Sequence, residues 1–269
     1  MPGRFSIPLL TAALLLLPAV TSADELTGRQ IVDEVADRHE VPFEFENQDM
    51  TLIDKAGNKE EREMRRFARR GKKDLFKYLV VFRTPAGVKG VALLTWQGED
   101  GDDDQWLYLP SMGKKMKRIA KGGRKNYFMG TDYTFEDLVS DSRDNFVYER
   151  EADQNIDGKP HHVVKTTPKN KKMAKGSAYK FRRMFVRQDI MFIVKTEYYD
   201  KRSRLIKTQT NMELAQVEGK LWRASFTRVD NKKEKHVTEV RIAERKLTEK
   251  DVPKAVFKKR YVTSGKHVR

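Results

Sequence analysis

The stretch DLFKYLVVFRTP, residues 74–85, decides the fold because it is apolar on both of its sides. Successive side chains of an extended strand point to opposite faces of a sheet. The alternating positions are Phe76, Tyr78, Val80 and Phe82 on one face, and Leu75, Leu79 and Val81 on the other. Antiparallel strands commonly keep one face in water, so burial on both sides favours a sheet that curls around an interior and has further chain packed against it.

The remaining sequence predicts more strands of the same antiparallel kind. Runs with period-two alternation are separated by turn sequences such as NIDGKP at 155–160. We count roughly eleven strands, at residues 43–54, 62–70, 74–85, 90–97, 105–110, 145–151, 161–168, 179–200, 204–217, 220–230 and 236–243. No linker sequence divides them, so residues 24–269 are expected to form a single mainly β domain.

One helix is predicted ahead of the strands, at residues 27–38. Thr27 and Gln30 have capping-box spacing, which lets each side chain bond the backbone of the other residue. Ile31, Val32 and Val35 fall on one face of such a helix. The pattern therefore indicates an amphipathic helix.

Residues 1–23 have the pattern of a cleaved secretory signal peptide. A basic start at Arg4 precedes an apolar run from Ile7 to Val20, and small residues follow up to Ala23. The uninterrupted apolar core is shorter than the roughly 20 residues that a membrane span needs. We therefore expect export with cleavage near Ala23. The sequence has no cysteine, so an apolar core and not disulfides must stabilise the exported domain.

The net charge is +16, and loss of Arg4 with the signal would leave +15. An exported protein seldom meets nucleic acid, so the charge favours anionic membrane surfaces as partner, with a diffuse solvated basic face as the alternative. The densest basic block lies between two aromatic clusters. Its predicted membrane-facing or partner-facing residues are Lys114, Lys115, Lys117, Arg118, Arg124 and Lys125.

The sequence contains none of the common catalytic or metal-binding patterns that we sought. A G-x-S-x-G nucleophile turn is missing, and two S-x-x-K spacings lack the companion motifs of the enzymes that use them. The five histidines do not form a zinc-binding pattern, and no glycine-rich phosphate loop opens a helix. We therefore expect a binding protein, with no catalytic residues, metal or cofactor.

Aromatic and methionine side chains are the better candidates for function. They are crowded between residues 96 and 135, and flexible apolar side chains on a curved sheet can form a cavity for acyl chains. An ordinary place in the core is the alternative for each one. The predicted ligand-binding residues are Phe76, Tyr78, Trp96, Trp106, Tyr108, Phe128, Met129, Tyr133, Phe135 and Trp222.

Three blocks resemble a known family: DDDQWLYLPSMGKKMKRIA at 102–120, NYFMGTDYTFEDL at 126–138 and VKTEYYDKRSRLIKT at 194–208. Together with LTGRQIVDEVADR at 26–38, they resemble the outer-membrane lipoprotein-sorting proteins, the LolA-like family of bacterial envelopes. The resemblance implies a half-open antiparallel β-barrel of about eleven strands, with helices capping an apolar cavity.

The resemblance also implies a function. It suggests a periplasmic carrier that shelters the acyl chains of lipoproteins or lipids between the inner and outer membranes, without bond chemistry. This branch is also similar to periplasmic companions of RND-type exporters, so an accessory protein that docks on such a transporter through its basic face is the alternative. The best-understood lipoprotein chaperone lacks the QWLYLP and FMGTDYTFEDL blocks, so its lid and cavity residues are not transferred here.

Overall fold

The computed structural model describes residues 25–99, 103–140 and 142–268. The predicted signal peptide lies outside the described residues. The strands are β1 Phe43–Ile53, β2 Lys59–Arg70, β3 Phe76–Thr84, β4 Ala92–Trp96, β5 Asp104–Tyr108, β6 Met116–Arg118, β7 Phe146–Ile156, β8 Lys159–Pro168, β9 Phe181–Arg187, β10 Phe192–Tyr199, β11 Leu205–Glu218, β12 Leu221–Asn231 and β13 His236–Lys246. The helices are α1 Gly28–His39, α2 Lys171–Gly176 and α3 Lys259–Thr263, with short 3₁₀ turns between elements.

All thirteen strands form one antiparallel sheet in the order β6-β5-β4-β3-β2-β1-β13-β12-β11-β10-β9-β8-β7. Every neighbouring pair except β1 and β13 consists of strands that are consecutive in the chain. The predicted mainly β antiparallel fold is confirmed. The sheet is open, because the outermost strands β6 and β7 do not pair with each other.

The strand count exceeds the prediction by two for identifiable reasons. The run 179–200 contains both β9 and β10, and the short strand β6 follows the basic turn. The turn between β9 and β10 has no Gly or Pro, and Met191 adopts a positive φ of 50°. Ile190 and Met191 are buried at this turn, so their apolar pattern looks like continuous strand.

Helix α1 has the capping box that its sequence predicts. Thr27 accepts a hydrogen bond from the Gln30 backbone N–H at 3.3 Å, and Gln30 Oε1 accepts one from the Thr27 N–H at 2.8 Å. Its apolar face packs on the sheet, where Ile31 joins a core cluster with Val164 of β8 and Val186 of β9. This packing holds the helix against the half of the sheet formed by the later strands.

The two faces of the sheet are covered by different parts of the chain. We call the face that carries Val80 and Phe82 the inner face, and the face that carries Leu79 and Val81 the outer face. Residues 119–140, here called the covering segment, pack on the inner face. Residues 248–268, the C-terminal arm, pack on the outer face. Within the part of the chain that the structure describes, no helix has the length and apolar character needed to span a membrane.

Candidate functional site

The covering segment fills the apolar part of the inner face with its own aromatic side chains. Phe128 is 1% exposed, stacks on Phe82 with ring centroids 5.5 Å apart, and meets Phe135 edge-on at 5.5 Å. The strand residues beneath them are Met50, Leu52, Met64, Val80, Leu93 and Val240. The chain itself therefore covers the apolar part of the inner face, where the resemblance to LolA-like proteins implied a cavity.

Two side chains of the sheet donate hydrogen bonds to the backbone of the covering segment near its aromatic residues. Arg62 of β2 donates from Nη1 to the Met129 carbonyl at 2.6 Å, and Gln105 of β5 donates from Nε2 to the Phe135 carbonyl at 2.8 Å. Tyr127 and Thr134 pair across the segment, which makes residues 127–134 a small closed loop. The loop is thus a separate unit resting on the sheet and not an additional strand of it.

A buried ion pair fixes the end of this loop. Lys207 of β11 is 1% exposed, and its Nζ donates to Asp137 Oδ2 at 2.6 Å, to the Asp132 carbonyl at 3.0 Å and to the Tyr179 hydroxyl at 2.5 Å. Tyr179 in turn donates to Asp137 at 2.9 Å. All three ammonium protons thus have an acceptor, which a buried charge requires. We call Lys207, Asp132, Asp137 and Tyr179 the Lys207 cluster.

Asp132 extends the cluster toward β12 and β13. Its carboxylate accepts hydrogen bonds from Asn231 Nδ2 at 2.9 Å and from Thr238 Oγ1 at 2.8 Å, and it lies 2.7 Å from His236 Nδ1. The Asp132 N–H also donates to Thr238 Oγ1 at 2.9 Å. One carboxylate of the loop is therefore surrounded by groups from two strands.

Burial shifts the pKa of several groups in this region. The pKa of Glu136 is raised to about 7, first by burial and then by the neighbouring Asp137. Burial also raises the pKa of Tyr133 and of Tyr179, which keeps both phenols protonated.

Among the described residues, no three His, Cys, Asp or Glu side chains meet as metal ligands.

A cleft of about 530 Å³ lies beside the covering segment, between the two open edges of the sheet. Gln105 contributes from the β5 side, while Phe146 and Pro168 contribute from β7 and β8. Arg124 and Glu136 of the covering segment also line it. Its volume lies within the range typical of small-molecule sites, and its walls mix charged with apolar groups.

The inner face also carries buried ion pairs, around the first residues of β1. Glu44 of β1 accepts a hydrogen bond from Arg223 Nε at 2.7 Å, and Glu46 accepts one from Arg245 Nη2 at 2.8 Å. Arg66 bridges both carboxylates at 3.3 and 3.4 Å. Burial alone would raise the pKa of Glu44, but the arginines lower it below its ordinary value. The apolar surface therefore occupies only part of the inner face.

The structure divides the predicted ligand-binding residues between the two faces. Those on the inner face are Phe76, Tyr78, Phe128, Met129, Tyr133 and Phe135. Trp96, Trp106 and Tyr108 lie on the outer face under the C-terminal arm. Trp222 lies apart, with Arg187 stacked 5.7 Å from its ring. Ligand contact by these residues stays a prediction.

The three outer aromatics have partners in the C-terminal arm. Trp96 Nε1 donates to the Phe257 carbonyl at 3.0 Å, Lys259 Nζ lies 3.7 Å from the Trp106 ring, and Tyr108 meets His267 edge-on at 5.2 Å. These contacts bury them within the protein. Their neighbours in the sequence, Gln105 and Leu107, face inward because side chains alternate along β5.

The predicted basic residues also differ in their surroundings. Lys114, Lys115, Lys117, Arg118 and Lys125 are exposed. Arg118 pairs with Asp104 at 2.5 Å. Arg124 is mostly buried and donates to the backbone carbonyl of Asp103, so it holds the covering segment to the sheet. The docking role of the block stays a prediction.

The Lys207 cluster was not anticipated by our reading of the sequence. Its members come from three separate segments, and Lys207 lies 70 residues from Asp137 along the chain. Both residues fall within blocks that carry the family resemblance, FMGTDYTFEDL and RLIKT. A single sequence gives no signal that a lysine near the start of a strand, such as Lys207 in β11, is buried.

Comparison with known proteins places this geometry in a family. A family model described only as "-like: Uncharacterized protein" matches residues 74–264. An outer membrane lipoprotein-sorting protein domain from Vibrio parahaemolyticus is 27% identical, with a TM-score of 0.81 over 88% of this chain and 98% of that one. The chain belongs to the LolA-like, outer-membrane lipoprotein-sorting family.

Two further solved structures share the fold of this LolA-like chain. A DUF1329 family protein from Desulfovibrio piger is 24% identical, with a TM-score of 0.76 over 86% of this chain and 98% of that one. A LolA superfamily protein from Nitrosomonas europaea is 18% identical, with a TM-score of 0.69 over 88% of this chain and 100% of that one. No curated protein matches the sequence.

Proposed function

We propose that this LolA-like protein is a periplasmic carrier that binds the acyl chains of lipoproteins or lipids against its inner face. It moves them between the inner and outer membranes without bond chemistry. The observation that supports the proposal is the covering segment, whose aromatic residues Phe128 and Phe135 pack on the apolar part of the inner face. An acyl chain can take their place on the same surface when the segment moves.

The energetics of that exchange are suited to reversible binding. Moving the segment exposes the apolar strand residues beneath it, and burying an acyl chain there recovers roughly 25 cal/mol for each Å² removed from water. The Lys207 cluster opposes opening, because separating Lys207 from Asp137 leaves a buried charge without its partner. Cargo is therefore retained or released according to its relative affinity for carrier and membrane.

Analysis of bound lipids tests the proposal directly. The protein is purified from its native envelope without detergent, and organic-soluble material is identified by mass spectrometry. We expect bound phospholipid or lipoprotein in the wild type, and much less in Phe82→Glu, which places a charge on the apolar inner face. Glu61→Gln, an exposed change on β2, is the matched control. Repeated purification with no lipid in the wild type would contradict the carrier function.

The open edge strand β7 supports a second candidate, an accessory protein of an RND-type exporter. Val147 in this strand is 54% exposed, and β7 has a sheet neighbour, β8, on one side only. A partner strand can pair with such an edge. Crosslinking in cells that captures an exporter subunit through residue 147 would favour this candidate, whereas capture of lipids and lipoproteins alone would remove it.

A further inference from the structure

The antiparallel sheet sorts the charges of the connections to its two ends. The connections at one end, here called the basic end, are residues 54–58, 85–91, 109–115, 169–180, 200–204 and 232–235. Together they hold fifteen Lys or Arg and three acids, and all fifteen basic residues are exposed. Five of the six connections have seven residues or fewer, and the sixth, residues 169–180, has twelve and includes α2, so the antiparallel topology places their charges at the same ends of the strands.

The opposite end has no such excess of positive charge. Its described connections between paired strands are residues 71–75, 97–99 with 103, 157–158, 188–191 and 219–220, which hold three basic and five acidic residues, and the chain that leaves β6 there adds Lys121, Arg124 and Lys125. Most of the positive charge of the connections is therefore at the basic end, although Lys169 and Lys172 line the same cleft as Glu99 and Asp103 of the opposite end. A diffuse basic surface would give similar values at the two ends.

The three acids of the basic end are engaged by neighbouring groups. Asp200 pairs with Arg204 at 2.7 Å, and Glu234 pairs with Lys233 at 2.9 Å. Asp54 is engaged by the Asn58 side chain within its own turn. Met112 projects from the same end with 58% of its surface exposed, next to Lys114 and Lys115. An apolar side chain among lysines suits the boundary between lipid head groups and acyl chains.

The covering segment reaches the same end. Asp132 contacts Asn231 and His236, which flank the connection between β12 and β13. The cleft between the sheet edges is lined there by Lys169 and Asn170 of the β8–β9 connection. A surface that binds the basic end would thus lie next to the loop that covers the inner face.

We propose that the basic end docks end-on to an anionic bilayer, with Met112 entering the interface and the covering segment facing the lipid. Docking of this kind would bring the inner face to the lipid. It rests on the proposed carrier function for that purpose, but the binding to the bilayer does not depend on it. The many connections at one end act together, because each basic residue near an anionic surface contributes about 1 kcal/mol. Lys114 and Lys115 of the predicted basic block are then part of a larger surface, whereas Arg118 and Arg124 contact Asp104 and Asp103 toward the opposite end.

Vesicle flotation with two charge-matched variants tests the orientation. The first variant changes Lys171, Lys175, Lys232 and Lys235 to Glu at the basic end, and the control changes Lys72, Lys220, Lys250 and Lys254 to Glu elsewhere. All eight side chains are exposed, and both variants change the net charge equally. The probes are phosphatidylcholine vesicles with and without phosphatidylglycerol.

We expect the wild type to bind only the vesicles that contain phosphatidylglycerol. The basic-end variant should bind them at least about 100-fold more weakly, and the control should lose far less. Equal losses in the two variants would overturn the inference, because net charge alone would then explain binding. No binding of the wild type to these vesicles would also overturn it. So would a preference of the wild type for a soluble acidic protein or polymer. Circular dichroism confirms that each variant is folded.

Lipid analysis separates this inference from the carrier function. A wild type that carries lipid but binds no vesicle contradicts docking alone. A wild type that docks through the basic end but never carries lipid contradicts the carrier function alone. Met112→Ala, which leaves charge unchanged, should weaken vesicle binding several-fold without changing the salt dependence. An unchanged affinity would remove Met112 from the docking surface.

Discussion

At the scale of single residues, the Lys207 cluster holds the covering segment to the sheet with polar groups. Lys207 and Asp137 have side chains only 2% and 3% exposed. A buried ion pair adds little stability over an apolar pair of the same size, but loss of one member leaves an uncompensated charge. The pair therefore specifies where the loop sits more than it stabilises the fold.

Lys207→Met tests this view of the cluster. Removing the ammonium should lower the free energy of unfolding by about 3–5 kcal/mol, because Asp137 stays buried without its partner. Urea unfolding followed by tryptophan fluorescence measures the loss. Lys207→Met with Asp137→Asn should recover part of it. Lys73→Met breaks the exposed pair with Glu99 and should change little, so a similar loss there would contradict the argument.

Glu136 should give the fold a measurable pH dependence. Its pKa of about 7 in the folded chain exceeds the ordinary value of 4.5, so the folded state binds this proton more tightly than the unfolded state does. Stability from Glu136 is thus greatest below pH 4.5 and falls as pH rises toward 7, by up to about 3 kcal/mol. Asp137, Arg182 and Lys201 are the charged groups coupled to it.

Urea unfolding at pH 5 and pH 8 checks this expectation. Glu136→Gln should remove most of the decrease in stability between the two values and make the protein more stable at pH 8. His39 and His267, whose pKa values are lowered by burial, titrate in both proteins, so the difference isolates Glu136. A variant with the same pH dependence as the wild type would contradict the assignment.

At the scale of elements, the sequence correctly predicted the helices and strands whose patterns depend only on neighbouring residues. The capping box of α1 and the two-sided apolar pattern of β3 are examples, since neighbouring residues determine both. The assignment of Trp96 and Trp106 to a cavity needed knowledge of which face the C-terminal arm would cover. That arm lies about 150 residues further along the chain. Long-range packing decides such cases, and one sequence does not contain it.

The C-terminal arm should be essential to the outer face. Phe257 is 2% exposed and lies in the cluster that includes Leu94 and Trp106. Phe257→Ala should lower the free energy of unfolding by about 3–5 kcal/mol because it leaves a cavity in that cluster. Urea unfolding and the emission wavelength of tryptophan measure the effect. Lys258→Ala, an exposed neighbour, should leave both nearly unchanged, and equal effects would contradict a packing role.

At the scale of the whole molecule, the covering segment is the part expected to move when cargo binds. It rests on an apolar surface, whereas α1 and the central strands hold the sheet together. Its side-chain partners Lys207, Asn231 and Thr238 lie on β11, β12 and β13. Arg62 of β2 and Gln105 of β5 bond its backbone carbonyls. Moving it therefore need not break any strand pairing.

Hydrogen exchange measured by mass spectrometry can detect this motion. With added lysophosphatidylglycerol as the lipid probe, backbone amides at residues 127–135 should exchange faster, because the loop leaves the inner face. Amides of α1 should be unchanged. Slower or unchanged exchange at 127–135 would indicate that lipid binds without displacing the loop.

The strand order has a consequence for how the chain folds. Residues 43–118 and 146–246 each form a series of consecutive hairpins, and the pairing of β1 with β13 alone joins the two series. Consecutive hairpins close small loops quickly, whereas β1 and β13 are separated by nearly the whole chain. The first series can therefore form while the second is still emerging from synthesis or export, and the β1–β13 seam is the natural last step. Changes at that seam are expected to slow folding more than changes within either series.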